Sequence, residues 1–279
     1  MTIFVTKANG TRQPFDKAKL VRTCRRMGAT EEIAHHIAKS IEARLFDGIE
    51  TKKILSMIFV SMRKHKPVLK HMIDLRKSLS LLRSKPDFEL FIQLLLKEYG
   101  YDVVPNLIIR GKCVEHEVDA LASKEGKTMI VEVKHHFDYH TPTGLDEARI
   151  ARAVFEDATE GHEIGSNDLE IDEVMIVSNT KLSGHAERYV KCRNIKHVGW
   201  NHPPKSALQN LIEDKKLYPI TILRGLRSPV KDKLVSAGIV MIKQLTEIDP
   251  NELRRRARIS KNDSESIINK AKIIFSDND

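Results

Sequence analysis

No stretch of this 279-residue chain approaches the roughly 18 consecutive apolar residues that a membrane span requires. The opening residues Thr2, Ile3, Phe4 and Val5 lack a basic leader and a long apolar core, so no cleaved secretory signal is expected. Only three cysteines occur, Cys24, Cys113 and Cys192, far apart and without a C-x-x-C pair. That spacing argues against a disulfide framework and a zinc site and favours a reducing, cytoplasmic setting. No Walker motif is present, so ATP hydrolysis is not implied. Low-complexity segments are absent too.

What is present is charge, unevenly distributed. The net charge is +9 at pH 7. Residues 1–85 carry 19 basic against 7 acidic side chains, residues 86–218 carry 16 against 23, and residues 219–279 carry 12 against 8. An acidic middle between basic flanks suits carboxylates gathered for metal ions, with phosphates held by the flanks.

Patterning divides the chain in three. In residues 1–85, alternation around Asn9-Gly10 predicts a tight β-hairpin. Helices follow from Asp16 to Met27, from Thr30 to Gly48, from Thr51, and from Pro67 towards Leu82. Lys85-Pro86-Asp87 marks a boundary. Residues 86–218 read as a helix (Phe88 to Leu96), strands at Tyr101–Ile109, Glu117–Ala122 and Thr128–Lys134, a helix after Gly144, and a strand at Val174–Ser178. A helix from Ser183, a strand at Ile195–Trp200 and a helix at Ser206–Lys215 complete it. This order predicts a mixed sheet flanked by helices. Residues 219–279, after Leu217-Tyr218-Pro219, hold only short helices and glycine turns. The whole is thus a multidomain α+β protein.

Glu117-Val118-Asp119 and Glu132-Val133-Lys134 stand on two strands joined by the turn Lys124-Glu125-Gly126. Residues i and i+2 of a strand share a face, so Glu132 and Lys134 project together, and a short hairpin brings Asp119 beside them. Two carboxylates and the Val133 carbonyl are hard oxygen donors suited to Mg²⁺ or Mn²⁺. Lys134 is placed to act on an attacking water or on the charge of a phosphoryl transition state.

With Phe88-Glu89 and Gly100-Tyr101-Asp102-Val103, these motifs resemble the PD-(D/E)xK nuclease superfamily, in particular Mrr-type restriction endonucleases and archaeal Holliday-junction resolvases. The resemblance spans about residues 86–200. It implies a restriction-endonuclease-like fold, metal binding by Asp119 and Glu132, catalysis by Lys134 and a supporting role for Glu89. Val118 stands where that superfamily usually has Pro or Gly. His135, His136 and His140 follow the catalytic strand and are candidates for contact with the scissile phosphate. Arg149 and Arg152 are candidates for a phosphate grip.

Val5 to Gly10, Pro14-Phe15-Asp16 with Lys19-Leu20, and Asp47 to Thr51 resemble the ATP-cone, the nucleotide-binding regulatory domain of ribonucleotide reductases and their transcriptional repressor. The resemblance implies an ATP or dATP site at Lys7, Lys19 and Thr51, shaped by Val5, Gly10 and Phe15. Lys7-Ala8 and Gln13 depart from the usual pattern. The tail from Leu223 to Ile274 resembles a tandem helix-hairpin-helix domain. This implies DNA backbone contact at Gly225 and Gly238 and charge from Arg254, Arg255, Arg256 and Arg258, the competing use of such a domain being protein–protein contact. Arg258 occupies the usual glycine position of the second hairpin.

These readings combine into a metal-dependent DNA endonuclease regulated by an adenine nucleotide. The competing reading is a catalytically inert, nucleotide-responsive DNA-binding regulator. A homodimer would let two active sites cut both strands.

Overall fold

A computed structural model describes residues 2–276. The last three residues of the expected third module lie outside the described residues. The chain divides into two compact units, one ending at Met72 and the other beginning at Ile73.

The first unit pairs β1 (Phe4–Thr6) antiparallel with β2 (Arg12–Pro14), and β1 also pairs in parallel with β3 (Ile49–Glu50). The hairpin forms as expected but with a different turn. The Gly10 N–H donates to the Lys7 carbonyl, and of the two turn residues only Gly10 has positive φ. A type I′ turn needs positive φ at both central positions, so the loop is a three-residue turn closed by a glycine bulge. Three helices pack alongside: α1 (Lys17–Arg26), α2 (Glu31–Glu42) and α3 (Thr51–His65). Asp16 and Thr30 cap α1 and α2 through their side chains, as their positions predict. The second helix ends six residues before Gly48, which leaves room for β3, a strand too short to show as alternation.

The expected fourth helix is broken. Pro67–Lys70 forms one 3₁₀ turn, and α4 (Leu75–Ser80) belongs to the second unit. One compact unit thus ends at Met72, inside the expected fourth helix, and the other runs from Ile73 through the segment from 219 onward. Asp87 stands within the expected boundary segment. It is fully buried, accepting from the Arg83 backbone N–H and Nε and lying 3.5 Å from the Lys231 ammonium. What reads as a charged linker is an ion-pair hub joining the start of α5 (Glu89–Glu98) to the tail. Lys243 adds a bidentate bond to Glu98 at 2.8 Å, and Thr221 donates to the Ser78 carbonyl at 2.7 Å.

At the centre stand β4 (Asp102–Arg110), β5 (Glu115–Lys124), β6 (Lys127–Lys134), β7 (Glu173–Ser178) and β8 (Lys196–Val198). They form one five-stranded sheet in chain order. The first two pairings are antiparallel and the last two parallel, the mixed sheet expected. Glu125 and Gly126 both take positive φ, so the β5–β6 turn is the tight type its sequence signals. The long helix α6 (Leu145–Glu163) and α7 (Gly184–Cys192) cover one face, burying Ile109, Val118, Ile130, Val174 and Ile176 beneath Ala148, Ala151, Ala158 and Val190. The far end of the β4–β5 hairpin is pinned by Asp157 of α6. Its carboxylate accepts from the Cys113 and Val114 backbone N–H groups and lies 2.8 Å from His116 Nε2. After β8 come α8 (Leu208–Asp214), then the short helices α9 (Ser228–Ser236), α10 (Ile242–Glu247) and α11 (Pro250–Ala257), and finally α12 (Lys261–Ser276).

Candidate functional site

Antiparallel pairing of β5 with β6 runs from the turn as far as Ala120↔Val131. Beyond that pair β5 stays with β4 while β6 stays with β7, so the two strands part at Asp119 and Glu132. The Val133 N–H on the parting strand is taken by the Asp119 carboxylate at 2.7 Å. The motif aspartate thus sits where the sheet opens, 7% exposed, with its own carbonyl held by Gln93 Nε2 at 2.8 Å.

Around it the four expected side chains converge. Glu89, 5% exposed on the first turn of α5, lies 3.2 Å from the Lys85 ammonium, which is also 3.4 Å from Asp119 and 3.5 Å from Glu117. Lys134 bonds Glu132 at 2.8 Å and Glu147, at the start of α6, at 3.1 Å. Burial raises the Glu89 carboxyl to about 7, with the Asp119 charge adding to the effect. Burial also raises Glu132, against the pull of Lys134 and with a contribution from Asp119. Burial opposes the charge on Lys85 and Lys134, but their carboxylate partners outweigh it and hold both ammonium groups firmly protonated.

This is a carboxylate-rich cleft whose members repel one another and are relieved by cations. Among the described residues no group of three or more His, Cys, Asp or Glu side chains is arranged to hold a metal ion. The donor chemistry nonetheless fits a hard ion of the Mg²⁺ type, which binds through one or two carboxylates and keeps several waters. Asp119, Glu132 and the Val133 carbonyl are the groups that would hold it.

The histidines are held by local contacts. His135 Nε2 lies 3.0 Å from the Leu79 carbonyl and its ring packs on Phe88 at 5.1 Å, while burial lowers its pKa. His136 Nε2 meets the Thr143 hydroxyl at 3.1 Å, and its backbone is bracketed by the Asn179 amide at 2.8 Å on both sides. Thr143 in turn joins Ser178 and Thr180 in a buried hydroxyl cluster. These contacts fix the loop after β6. His140 is exposed and packs at a tilt against Tyr139, centroids 4.5 Å apart. Arg149 and Arg152 pair with Asp146 and Glu156 of their own helix.

In the first unit, the parallel register Thr6↔Glu50 sets Lys7 beside Thr51, the first residue of α3. No side chain caps that helix, leaving its N-terminal N–H groups beside the hairpin. Val5 is buried in the small sheet, Phe15 is half-buried, and Lys7, Gly10 and Lys19 are exposed. Neither lysine has an ion-pair partner among the described residues.

In the tail, Gly225 and Gly238 both take positive φ, and so does Arg258, at 52°. Arg258 therefore adopts the left-handed backbone that a glycine would adopt at the end of α11. Arg254, Arg255 and Arg256 are exposed, but Arg256 Nε donates to the Ala237 carbonyl, so it braces the first hairpin. Gly225 lines a shallow pocket with Arg224, Arg227 and Lys270.

The two flanks match known family models, the ATP cone domain at residues 3–78 and a family described as AF1548-like, C-terminal, at residues 218–275. An uncharacterized protein of Archaeoglobus fulgidus is 37% identical over 180 residues, covering 64% of this chain and 98% of that relative. The chain belongs to the AF1548-like family. A crystal structure of AF1548, a protein of unknown function, superposes with a TM-score of 0.57 at 35% identity, covering 66% of this chain and 94% of that one.

This AF1548-like protein thus carries an ATP-cone domain at its N-terminus, which points to a nucleotide ligand. No helix among its described residues is long and apolar enough to cross a membrane. Three residues that sequence reasoning missed complete the cleft: Lys85, Gln93 and Glu147. Gln93 was findable, because it stands one helical turn after Glu89 and so faces the same way. Lys85 and Glu147 reach the cleft only through the three-dimensional course of the chain.

Proposed function

We propose that this AF1548-like protein is a metal-dependent nuclease that hydrolyses phosphodiester bonds of DNA, with its ATP-cone as a nucleotide-responsive regulator. The observation that carries the reading is the opening of the sheet at Asp119 and Glu132, with Lys134 beside them and Glu89 behind. A bound Mg²⁺ or Mn²⁺ would supply Lewis-acid stabilisation of the phosphate and a water activated for attack. Asp119 and Glu132 would hold it, with the Val133 carbonyl. Lys134, kept protonated by Glu132 and Glu147, donates towards the charge that builds on the phosphate oxygens. Glu89, its carboxyl raised to about 7 by burial and by the Asp119 charge, sets the local charge. Gln93 and the Val133 N–H orient Asp119.

The tail supports contact with the DNA backbone through its glycine turns and through Arg254, Arg255 and Arg258, whose guanidinium groups project from one helix end. In the ATP-cone, Lys7, Lys19 and the uncapped start of α3 offer compact positive charge for an ATP or dATP triphosphate.

The test is cleavage of labelled duplex, single-stranded, forked and four-way DNA in Mg²⁺ or Mn²⁺ against EDTA, with and without ATP and dATP. Metal-dependent cutting whose rate changes with nucleotide is the expected result. Tight DNA binding without cutting under any condition would instead identify an inert, nucleotide-responsive regulator.

A further inference from the structure

The loop that follows β6 holds an aromatic cluster that the nuclease reading does not use. Phe137 is 76% exposed, three residues after Lys134. Tyr139 packs against His140 with ring centroids 4.5 Å apart and the planes tilted by 42°. Arg76 of α4 lies over the Tyr139 ring at 5.1 Å and over the Trp200 ring at 5.8 Å, while its Nη2 donates to the Tyr139 carbonyl at 2.5 Å. The Arg76 Nε is buried without a hydrogen-bond partner. Burial lowers the Arg76 pKa, against the pull of Tyr139, Asp74 and Asp138.

The cluster is held still. Asn179 clamps His136, the Asp138 side chain accepts from the His140 backbone and the Thr141 hydroxyl, and Thr143 is anchored to Ser178 and Thr180. Phe137 therefore exposes its ring from a fixed loop that also carries Tyr139, and the Arg76 guanidinium lies over the Tyr139 and Trp200 rings. Aromatic and guanidinium planes of this kind accept the faces of nucleobases. In a duplex those faces are covered by neighbouring bases, so only unpaired nucleotides can use them. The cations alongside, including Lys77 and Lys181, suit the accompanying phosphates.

We infer that the loop after β6, with Arg76 and Trp200, is a stacking platform for unpaired nucleotides next to the carboxylate cleft, and so for DNA with a single-stranded or splayed segment. This rests on the nuclease reading for its substrate class, but its test is independent of cleavage. Trp200 is the one tryptophan of the chain, so its fluorescence reports the platform directly.

The full-length protein is titrated in EDTA with oligothymidylate and with a blunt duplex, following tryptophan emission and fluorescence anisotropy. Oligothymidylate is expected to quench Trp200 and the duplex to leave it unchanged. Phe137→Ala is expected to weaken single-strand binding about tenfold, as removal of one base stack would, and to leave duplex binding within about twofold. Phe137→Tyr should restore single-strand affinity. Duplex binding with no quenching by oligothymidylate, and no effect of Phe137→Ala, overturns the platform and leaves the nuclease reading standing. Failure to bind either DNA overturns both. A shift from dimer to monomer in Phe137→Ala by light scattering, with DNA affinity unchanged, overturns the platform in favour of self-association through Phe137.

Discussion

Asp119 takes the Val133 N–H that a continuing β5–β6 ladder would otherwise have taken, at 2.7 Å. One side chain therefore both ends the strand pairing and lines the cleft it opens. Structure and proposed chemistry can be separated at this position.

Asp119→Asn keeps an oxygen acceptor for Val133 and removes the charge. Its melting temperature should stay within a few degrees of wild type while metal-dependent cleavage falls by roughly 100-fold or more. Asp119→Ala should lose both, because a buried N–H is left unpaired. A plasmid-nicking time course together with a thermal melt distinguishes the two. Nicking by Asp119→Asn at the wild-type rate would remove the residue from the mechanism.

Glu89 gives a pH signature. Its folded-state pKa is raised from 4.5 to about 7. Between those values the folded protein holds a proton that the unfolded chain has released. Its stability contribution is therefore fully present below about 4.5 and is lost as pH rises through about 7. Melting temperatures in EDTA should fall across that window in wild type, and Glu89→Gln should flatten the fall. Glu132 is raised as well and leaves a residual slope. Parallel wild-type and Glu89→Gln profiles would exclude Glu89 as the titrating group.

In the ATP-cone, binding should stabilise the fold by mass action. Nucleotide at 100 times its dissociation constant adds about 2.7 kcal/mol. The full chain should show a melting transition raised by several degrees with ATP or dATP, and Lys19→Ala should erase most of the shift. Inorganic triphosphate is the control: an equal shift would reduce the site to general polyanion attraction.

Removing the tail is no clean test of DNA binding, because Ile220 and Ile222 are buried and Lys231 and Lys243 are bonded into the central fold. Arg254→Glu with Arg255→Glu changes only exposed charge. This pair should weaken DNA binding several-fold and lower the slope of log affinity against log salt by about one for each phosphate that is no longer neutralised. An unchanged slope would assign these arginines to solvation.

The regular elements were readable because each carried its own local signal. Asp16 and Thr30 cap helices where they should, and Glu125-Gly126 makes the turn its sequence predicts. The pairing of Glu132 with Lys134, and the approach of Asp119, followed from strand period and one short turn. The contacts that cross the expected boundaries did not follow. Asp87 looks like a linker charge because nothing nearby in sequence reveals Lys231, its partner from 144 positions on. Glu147 escaped because its partner Lys134 stands on a different element, and Lys85 because extended backbone, not a helix, carries it back to Glu89. The break inside the expected fourth helix was hidden because apolar spacing continues across it, from Val68-Leu69 to Leu79 and Leu82.

The bond from Thr221 to the Ser78 carbonyl spans 143 positions and ties the first helix of the second unit to its tail. During synthesis the ATP-cone, matched over residues 3–78, emerges before the central sheet and can fold while translation continues. Helix α4 then waits for Ile220–Ile222, whose turn closes over it almost 150 residues later. At about 5–20 residues per second this is an interval of roughly 7–30 seconds. Through that interval the buried side of α4 lacks its final cover, and a nascent chain stalled before residue 220 would expose Leu79 and its neighbours.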